Sequence, residues 1–151
     1  MKNISLFIIL ISQIFFCQDN MGGQPYSLKH NLSIDPHPVT MKEINIDNLL
    51  EQDSNAPPAS PFRYGHKFNV DFSLNNSGYW SELENGDRIW RLTIQTKDAY
   101  AICLEYDQFY LPNGSNFFVY NDKRDMIAGA YTSDNNQTDM LFATPLIKGD
   151  I

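Results

Sequence analysis

The sequence has few cysteines, few basic residues and no paired metal-binding motif. Apart from Cys17 in the N-terminal apolar run, the only cysteine is Cys103, so the remainder of the chain cannot form an internal disulfide. The 151 residues include 11 Lys and Arg against 18 Asp and Glu, a formal net charge of -7. Such a chain repels nucleic acid and anionic lipid, which excludes both as expected partners.

The residues needed for catalysis are also missing. The chain has three histidines (His30, His37 and His66), and no serine lies in a Gly-x-Ser-x-Gly setting. His66 could be grouped with Asp71 and Ser73, but those two would share one strand face and offer little independent geometry. There is no His-Glu-x-x-His and no Cys-x-x-Cys. We therefore predict no enzyme activity, and assign no catalytic, cofactor-binding or metal-binding residues.

Two loops and Cys103 have a second interpretation each. Residues 121–125 and 133–139 gather oxygen atoms that could bind calcium, but they lack EF-hand spacing, and Lys123 and Arg124 dilute the first loop. Solvated turns are the favoured interpretation. Cys103 lies in the alternating run "AICLEY" and is predicted to be a small buried apolar residue rather than a nucleophile.

The N-terminus has the pattern of an export signal. A short basic head, "MKN", precedes the apolar run "ISLFIILISQIFF". That run suits a secretory signal peptide and is shorter than the roughly 20 residues of a membrane span. We predict a signal peptide over residues 1–17, a secreted or cell-surface protein and no stable membrane span after signal removal. The alternatives are an N-terminal anchor, a buried strand, or lipidation of Cys17, although "IFFC" lacks the small residue that lipidation prefers.

Residues 18–61 are predicted to form an extended N-terminal arm or linker. "GGQPYSL" and "SNAPPASP" carry the Gly and Pro that interrupt regular structure. Between them, "MKEINIDNLLEQD" predicts either one short helical turn or an extended strap. Its apolar residues (Ile44, Ile46, Leu49 and Leu50) are expected to anchor the arm on the body of the protein.

From residue 62 onward the hydrophobic period changes to two. Alternation over residues 68–74, 90–95 and 100–107, with turn-forming residues between the segments, predicts antiparallel strands with one solvated face. The fold class is therefore all-β, an antiparallel β-sandwich or jelly-roll-like domain over residues 62–151. Asn85-Gly86 predicts a tight hairpin turn, with Trp90 facing inward and Arg88 and Arg91 outward.

Aromatic residues provide the main alternative function. Jelly rolls often stack sugars on exposed rings, and Tyr79, Trp80 and Tyr110 lie out of phase with the aliphatic positions. A carbohydrate-binding or adhesion module of an exported protein is therefore a second hypothesis.

A set of motifs runs through nearly the whole chain after the apolar run. In order they are "GGQPYS", "INIDNLLEQD", "PFRYGHKF", "NNSGYWSELENGDRIWRLTIQT", "AICLEYDQFYLPNG", "NFFVYN", "IAGAYTSDNN" and "FATPLIKGD". This set resembles the N-terminal pro-region of secreted lysyl endopeptidase-like serine proteases of Bacteroidetes. In that family the pro-region precedes a trypsin-like domain and often a sorting domain for type IX secretion.

The resemblance implies a function but no site residues. The chain stops at Ile151, where the family continues through another strand, so the resemblance implies a β-sandwich over residues 62–151 that is missing its last strand. The trypsin-like domain of the family is also absent. The resemblance therefore implies a fragment of a serine protease precursor, a non-catalytic pro-domain that helps the downstream protease domain of the same precursor to fold, inhibits it, or both. The loops "LPNGSN" and "SDNNQTD" are candidate contacts.

Overall fold

The computed structural model describes residues 20–32 and 37–151. These residues are rich in strands, with 23% in strand and 12% in helix. The predicted signal peptide over residues 1–17 and the lipidation of Cys17 lie outside the described residues. Within the described ranges, no helix has the length and hydropathy needed to cross a membrane.

The helices and strands of the chain are short. The helices are α1 (Tyr26–Lys29), α2 (Ile46–Ser54) and a 3-10 turn (Ser133–Asn135). The strands are β1 (Val39–Thr40), β2 (Tyr79–Glu82), β3 (Arg88–Arg91), β4 (Ile94–Gln95), β5 (Ala101–Ile102), β6 (Glu105–Tyr106), β7 (Phe117–Tyr120), β8 (Ile127–Tyr131), β9 (Phe142–Ala143) and β10 (Ile147–Lys148).

The strands pair two by two. Four ladders are antiparallel: β2 with β3, β5 with β10, β6 with β9, and β7 with β8. The fifth, β1 with β4, is parallel and joins the arm to the domain, while the described ladders within residues 62–151 are antiparallel. The ladder of β7 with β8 contains a register shift between Phe117 and Val119.

The core is an aromatic cluster in the C-terminal half of the chain. Phe109 stacks on Phe142 with 4.1 Å between ring centroids, and Tyr131 meets Phe142 edge-on at 4.9 Å. Tyr106 and Phe117 complete the ring contacts. Offset and edge-to-face pairs of this kind stabilise the fold beyond their buried area, by about 0.5–1.5 kcal/mol per pair.

The arm is attached to the body by its first helix and by β1. The Ser27 hydroxyl, buried on α1, is 2.8 Å from the Tyr120 hydroxyl on β7. The Met21 amide donates to the Ala130 carbonyl, and the Ala130 amide donates to the Gly22 carbonyl. Because β1 also pairs with β4, the arm is docked at two separate places.

The predicted anchor segment forms a helix with little buried surface. The Asn45 side chain caps α2 by accepting from the Asn48 amide at 2.9 Å, and none of the helical residues is buried. Ile46 is 50% exposed and Leu50 is 60% exposed, so the expectation that these two residues anchor the arm was wrong. The short-helix alternative was the better of the two, although α2 runs over nine residues.

The predicted strand over residues 68–74 does not form. Phe68 and Phe72 are half-buried as the alternation indicates, but Val70 and Leu74 of the same predicted face are exposed. The segment pairs with no strand among the described residues. The side chain of Asn76 explains part of this result, because it accepts from the Ser73 amide and donates to the Asp71 carbonyl. Turn chemistry thus occupies backbone groups that a ladder would need.

The predicted hairpin forms around Asn85 and Gly86. The Leu83 amide donates to the Asp87 carbonyl at 2.8 Å, and Gly86 has a φ of 85°. Arg88 and Arg91 lie three residues apart in a strand and therefore point to opposite faces. Arg88 is exposed, whereas Arg91 is half-buried and faces a cavity, so the expectation that both point outward was wrong for Arg91.

Candidate functional site

An apolar cavity of about 150 Å³ lies beside the aromatic core. Leu28 of α1 and Leu32, three residues after that helix, contribute one side, while strand residues Ile94, Ile102 and Ile147 also line the cavity. Since α1 belongs to the arm, the cavity exists only where the arm is docked. The sequence predicted no such cavity, because its walls come from segments far apart in the chain.

Two arginines and one aspartate give the cavity its charge. Arg91 reaches it from β3, where the guanidinium lies over the Tyr79 ring at 4.5 Å from the centroid and Nη2 donates to Ser81 Oγ at 3.0 Å. Arg124 and Asp122 reach it from the turn between β7 and β8. Arg124 and Asp122 carry opposite charges at this side of the cavity.

A second feature is an exposed segment, residues 61–70, which forms neither helix nor strand. Phe62 is 90% exposed and Tyr64 is 87% exposed. The segment also contains Arg63 and Lys67 and no acidic residue, in a chain whose net charge is -7. Exposed aromatic side chains beside basic ones are typical of contact surfaces rather than of a solvated loop.

Ion pairs position the exposed segment on the rest of the molecule. Arg63 Nε lies 2.8 Å from Asp53 Oδ1 at the end of α2, and Lys67 Nζ lies 2.6 Å from Glu105 Oε2 on β6. The hydrogen bond and charge of Glu105 raise the pKa of Lys67. Lys67 therefore stays protonated over the whole physiological pH range, and its pair, being exposed, is readily exchanged for another carboxylate.

The loops named as candidate contacts lie next to each other. The Asn136 side chain accepts from the Leu111 amide at 2.8 Å and donates to the Leu111 carbonyl at 2.9 Å, joining residues 133–139 to residues 111–116. Thr132 and Asn135 form a capping box at the 3-10 turn. These polar atoms thus stabilise the loop itself.

The other oxygen-rich loop is organised by a buried asparagine. Asn121 is 2% exposed, and its Nδ2 donates to Asp125 Oδ1 at 2.6 Å and to the Lys148 carbonyl at 2.9 Å. In the described part of the chain, no group of three or more His, Cys, Asp and Glu side chains is arranged to hold a metal ion. Asn121 Oδ1, which accepts from the Met126 amide, and Asp125 Oδ1 therefore take part in bonds that stabilise the loop.

The three aromatic residues considered for sugar stacking differ in their settings. Trp80 and Tyr110 are exposed as expected, at 47% and 66%. The Arg88 guanidinium lies over the Trp80 ring at 4.9 Å, and Trp80 Nε1 donates to the Leu74 carbonyl. Tyr79 is half-buried and lines the cavity, so the expectation that it is exposed was wrong.

Cys103 and the histidines form no nucleophilic site. Cys103 is exposed, contrary to the expectation of burial, because it falls on the outward phase of its own alternating run. Its Sγ donates to the Thr144 carbonyl at 3.1 Å. His66 packs edge-on against Phe68, while Ser73 takes part in the turn with Asn75 and Asn76, so the contacts of His66 and Ser73 are with other residues.

Comparisons with known proteins give no relative. No family model, no curated protein and no solved structure matches this chain.

Proposed function

We propose that this chain is the non-catalytic pro-domain of a secreted, lysyl endopeptidase-like serine protease precursor, and that it binds the trypsin-like domain of the same precursor as a folding aid, an inhibitor, or both. The observation that carries the proposal is the exposed segment. Phe62 and Tyr64 are almost fully accessible, and Lys67 projects from a backbone that forms no helix or strand.

The chemistry of the segment suits such a partner. A protease that recognises lysine needs an acidic specificity pocket, and the segment is basic although the chain as a whole is acidic. Irregular backbone can align with a substrate cleft as an added strand, and its aromatic side chains supply the contact area that fixes it there. Lys67 would exchange Glu105 for a carboxylate of the protease.

The proposal also includes the arrangement of the strands, the arm and the export signal. Four antiparallel ladders, of which β5–β10, β6–β9 and β7–β8 contribute residues to the core, support a sandwich or jelly-roll-like arrangement for residues 62–151. The arm over residues 18–61 then packs on this body through α1 and β1. An export signal over residues 1–17 and secretion agree with a precursor that matures outside the cytoplasm.

The test uses the purified chain and a lysine-specific trypsin-like protease. We expect the chain to slow hydrolysis of a small lysyl substrate or to raise the refolding yield of the denatured protease. The double variant Phe62→Ala/Tyr64→Ala should lose most of either effect, while Tyr110→Ala, an exposed aromatic elsewhere, should keep it. If the chain neither inhibits nor aids refolding, the proposal loses its mechanism.

The reading frame beyond Ile151 offers an independent check. A frame that encodes a trypsin-like domain with its His, Asp and Ser would agree with the proposal. An immediate stop codon would contradict the proposal that this chain is part of a protease precursor.

A carbohydrate-binding or adhesion module is the alternative, and Tyr110 is the observation in its favour. Trp80 favours this alternative less, because Arg88 covers the ring face on which a sugar would stack. Retention of the chain on insoluble polysaccharide, lost in Tyr110→Ala, would favour this alternative over the pro-domain.

A further inference from the structure

The arm and the body are held together by contacts between residues on opposite sides of residues 55–60. Strand β1 of the arm pairs with β4 of the body, and the Ser27 hydroxyl is 2.8 Å from the Tyr120 hydroxyl. Lys97 Nζ also lies 2.6 Å from Glu43 Oε1. A second copy of the chain carries the same arm and the same body, so these contacts can equally form between two copies.

Residues 55–60, which we call the hinge, contain a turn with a strained residue. The Ser60 amide and Ser60 Oγ both donate to the Pro57 carbonyl, at 3.1 Å and 2.7 Å. Ala59, the third residue of this four-residue turn, has a φ of 67°. A turn with a positive φ at its third position normally has glycine there, because the Cβ of another residue is crowded in this conformation. The closed hinge therefore stores strain that is released when the turn opens.

The sequence of the hinge favours an extended backbone once the turn opens. Pro57, Pro58 and Pro61 each bias the preceding residue toward extended conformations. Six extended residues span about 20 Å, which is long enough to carry an arm to a neighbouring molecule. All the hinge residues are exposed, so opening removes no buried side chain from the core. A short, strained hinge of this kind promotes exchange of the segment that it connects.

We propose that two copies of this chain exchange their arms, so that the body of each copy receives the arm of the other through the contacts that the arm makes within one chain. The exposed ion pair between Arg63 and Asp53 also crosses the hinge and adds little to the closed form. Because Leu28 belongs to the arm and Ile102 to the body, each apolar cavity of the dimer is lined by residues of both copies. The inference does not depend on the proposed pro-domain function, since it rests on the hinge and on the arm–body contacts.

The experiment refolds the full chain from urea at several concentrations and measures monomer and dimer by sedimentation velocity. The linked arm competes with the arm of a second copy, so we expect the dimer fraction to increase with chain concentration. A second sample is refolded from equal parts of isotope-labelled and unlabelled chain. In its dimer, NMR contacts between the methyl groups of Val39 and Ile94, which pair in the β1–β4 ladder, should join labelled to unlabelled chains.

Matched variants test the strain in the hinge. Ala59→Gly should raise the dissociation constant of the dimer at least about tenfold, because both hinges lose the strain that favours opening. Ala59→Val should lower it, because a β-branched residue is more strained at a positive φ. Ala56→Gly makes the same change within the hinge at a residue without a positive φ, and should have much the smaller effect.

Three results would overturn the proposal. The first is a chain that stays monomeric at every concentration. The second is a dimer in which the Val39–Ile94 contacts remain within each copy, which would show two closed molecules lying side by side. The third is an equal effect of Ala59→Gly and Ala56→Gly on the dissociation constant, which would show that strain at Ala59 does not drive the exchange.

Discussion

At the scale of single residues, Tyr106 links the core to pH. Its ring packs edge-on against Phe109 and Phe117, and burial raises its pKa well above the ordinary tyrosine value of about 10. The unfolded chain releases this proton above about pH 10, whereas the folded chain retains it. The free energy of unfolding therefore decreases as the pH rises above that value, and below it the contribution is fully present.

We predict that Tyr106→Phe removes part of this loss of stability at alkaline pH. The variant has no proton to release at this position, so its free energy of unfolding should fall less steeply above pH 10, by up to about 1.4 kcal/mol per pH unit. Urea unfolding at pH 9, 10 and 11 measures the slope. Tyr110→Phe, at an exposed position, is the control, and an equal change of slope in both variants would contradict the prediction.

The burial of a side chain could be predicted from the sequence only where a single hydrophobic period extends over its segment. Ile102, Leu104 and Tyr106 are half-buried and Glu105 and Asp107 are exposed, as their alternation indicates. Tyr100, at the start of the same run, is 96% exposed, so the prediction was wrong there. The same alternation placed Cys103 outside, but the apolar character of a thiol suggested burial. Arg91 was misplaced because its charge was given more weight than its spacing from Arg88.

At the scale of elements, the β2–β3 hairpin depends on two glycines with different surroundings. Gly78 and Gly86 both have a positive φ, of 65° and 85°. A Cβ at Gly78 would lie 2.3 Å from the Arg91 carbonyl oxygen and 3.0 Å from the Trp90 ring, whereas a Cβ at Gly86 meets nothing within 4 Å. The first position has steric and conformational constraints, and the second has only the conformational one.

We predict that Gly86→Ala costs about 1 kcal/mol, because an alanine at positive φ is strained. Gly78→Ala should cost a further 1–3 kcal/mol or so, because backbone and ring must move to admit the methyl group. Denaturant unfolding of the two variants gives the difference directly. Equal destabilisation would show that the close approach of Gly78 to Arg91 does not exist.

Element types were predictable where local chemistry and pairing agree. Asn85-Gly86 supplies a turn between two alternating segments, and the hairpin formed as predicted. Residues 68–74 alternate equally well, but a strand needs a neighbour, and the sequence does not say which segments meet. The parallel β1–β4 pair was missed for the same reason, since two residues carry no detectable period.

At the scale of the whole molecule, the exposed segment divides the chain into two parts that stay attached. Lys67 has a side chain 71% exposed and lies where the backbone forms neither helix nor strand. The parts on either side are joined by the β1–β4 ladder and by the bond between Ser27 and Tyr120. A break in the segment therefore leaves these contacts in place.

We predict that dilute trypsin cuts first after Lys67 and that the two fragments co-elute on gel filtration. Lys67→Gln should slow the first cut several-fold, whereas Lys97→Gln, an exposed residue in the turn after β4, should not. Mass spectrometry identifies the first site. A first cut within residues 100–151 would contradict this description of the molecule.

The bond between Ser27 and Tyr120 spans 93 residues, and this has a consequence for the order in which the molecule can be completed. The arm leaves the ribosome before the side chains that receive it are synthesised. Closing so long a loop is slow and entropically costly until the body has already folded. We therefore expect the arm to dock after the strands that receive it have formed, and the cavity beside α1 to form only at that step.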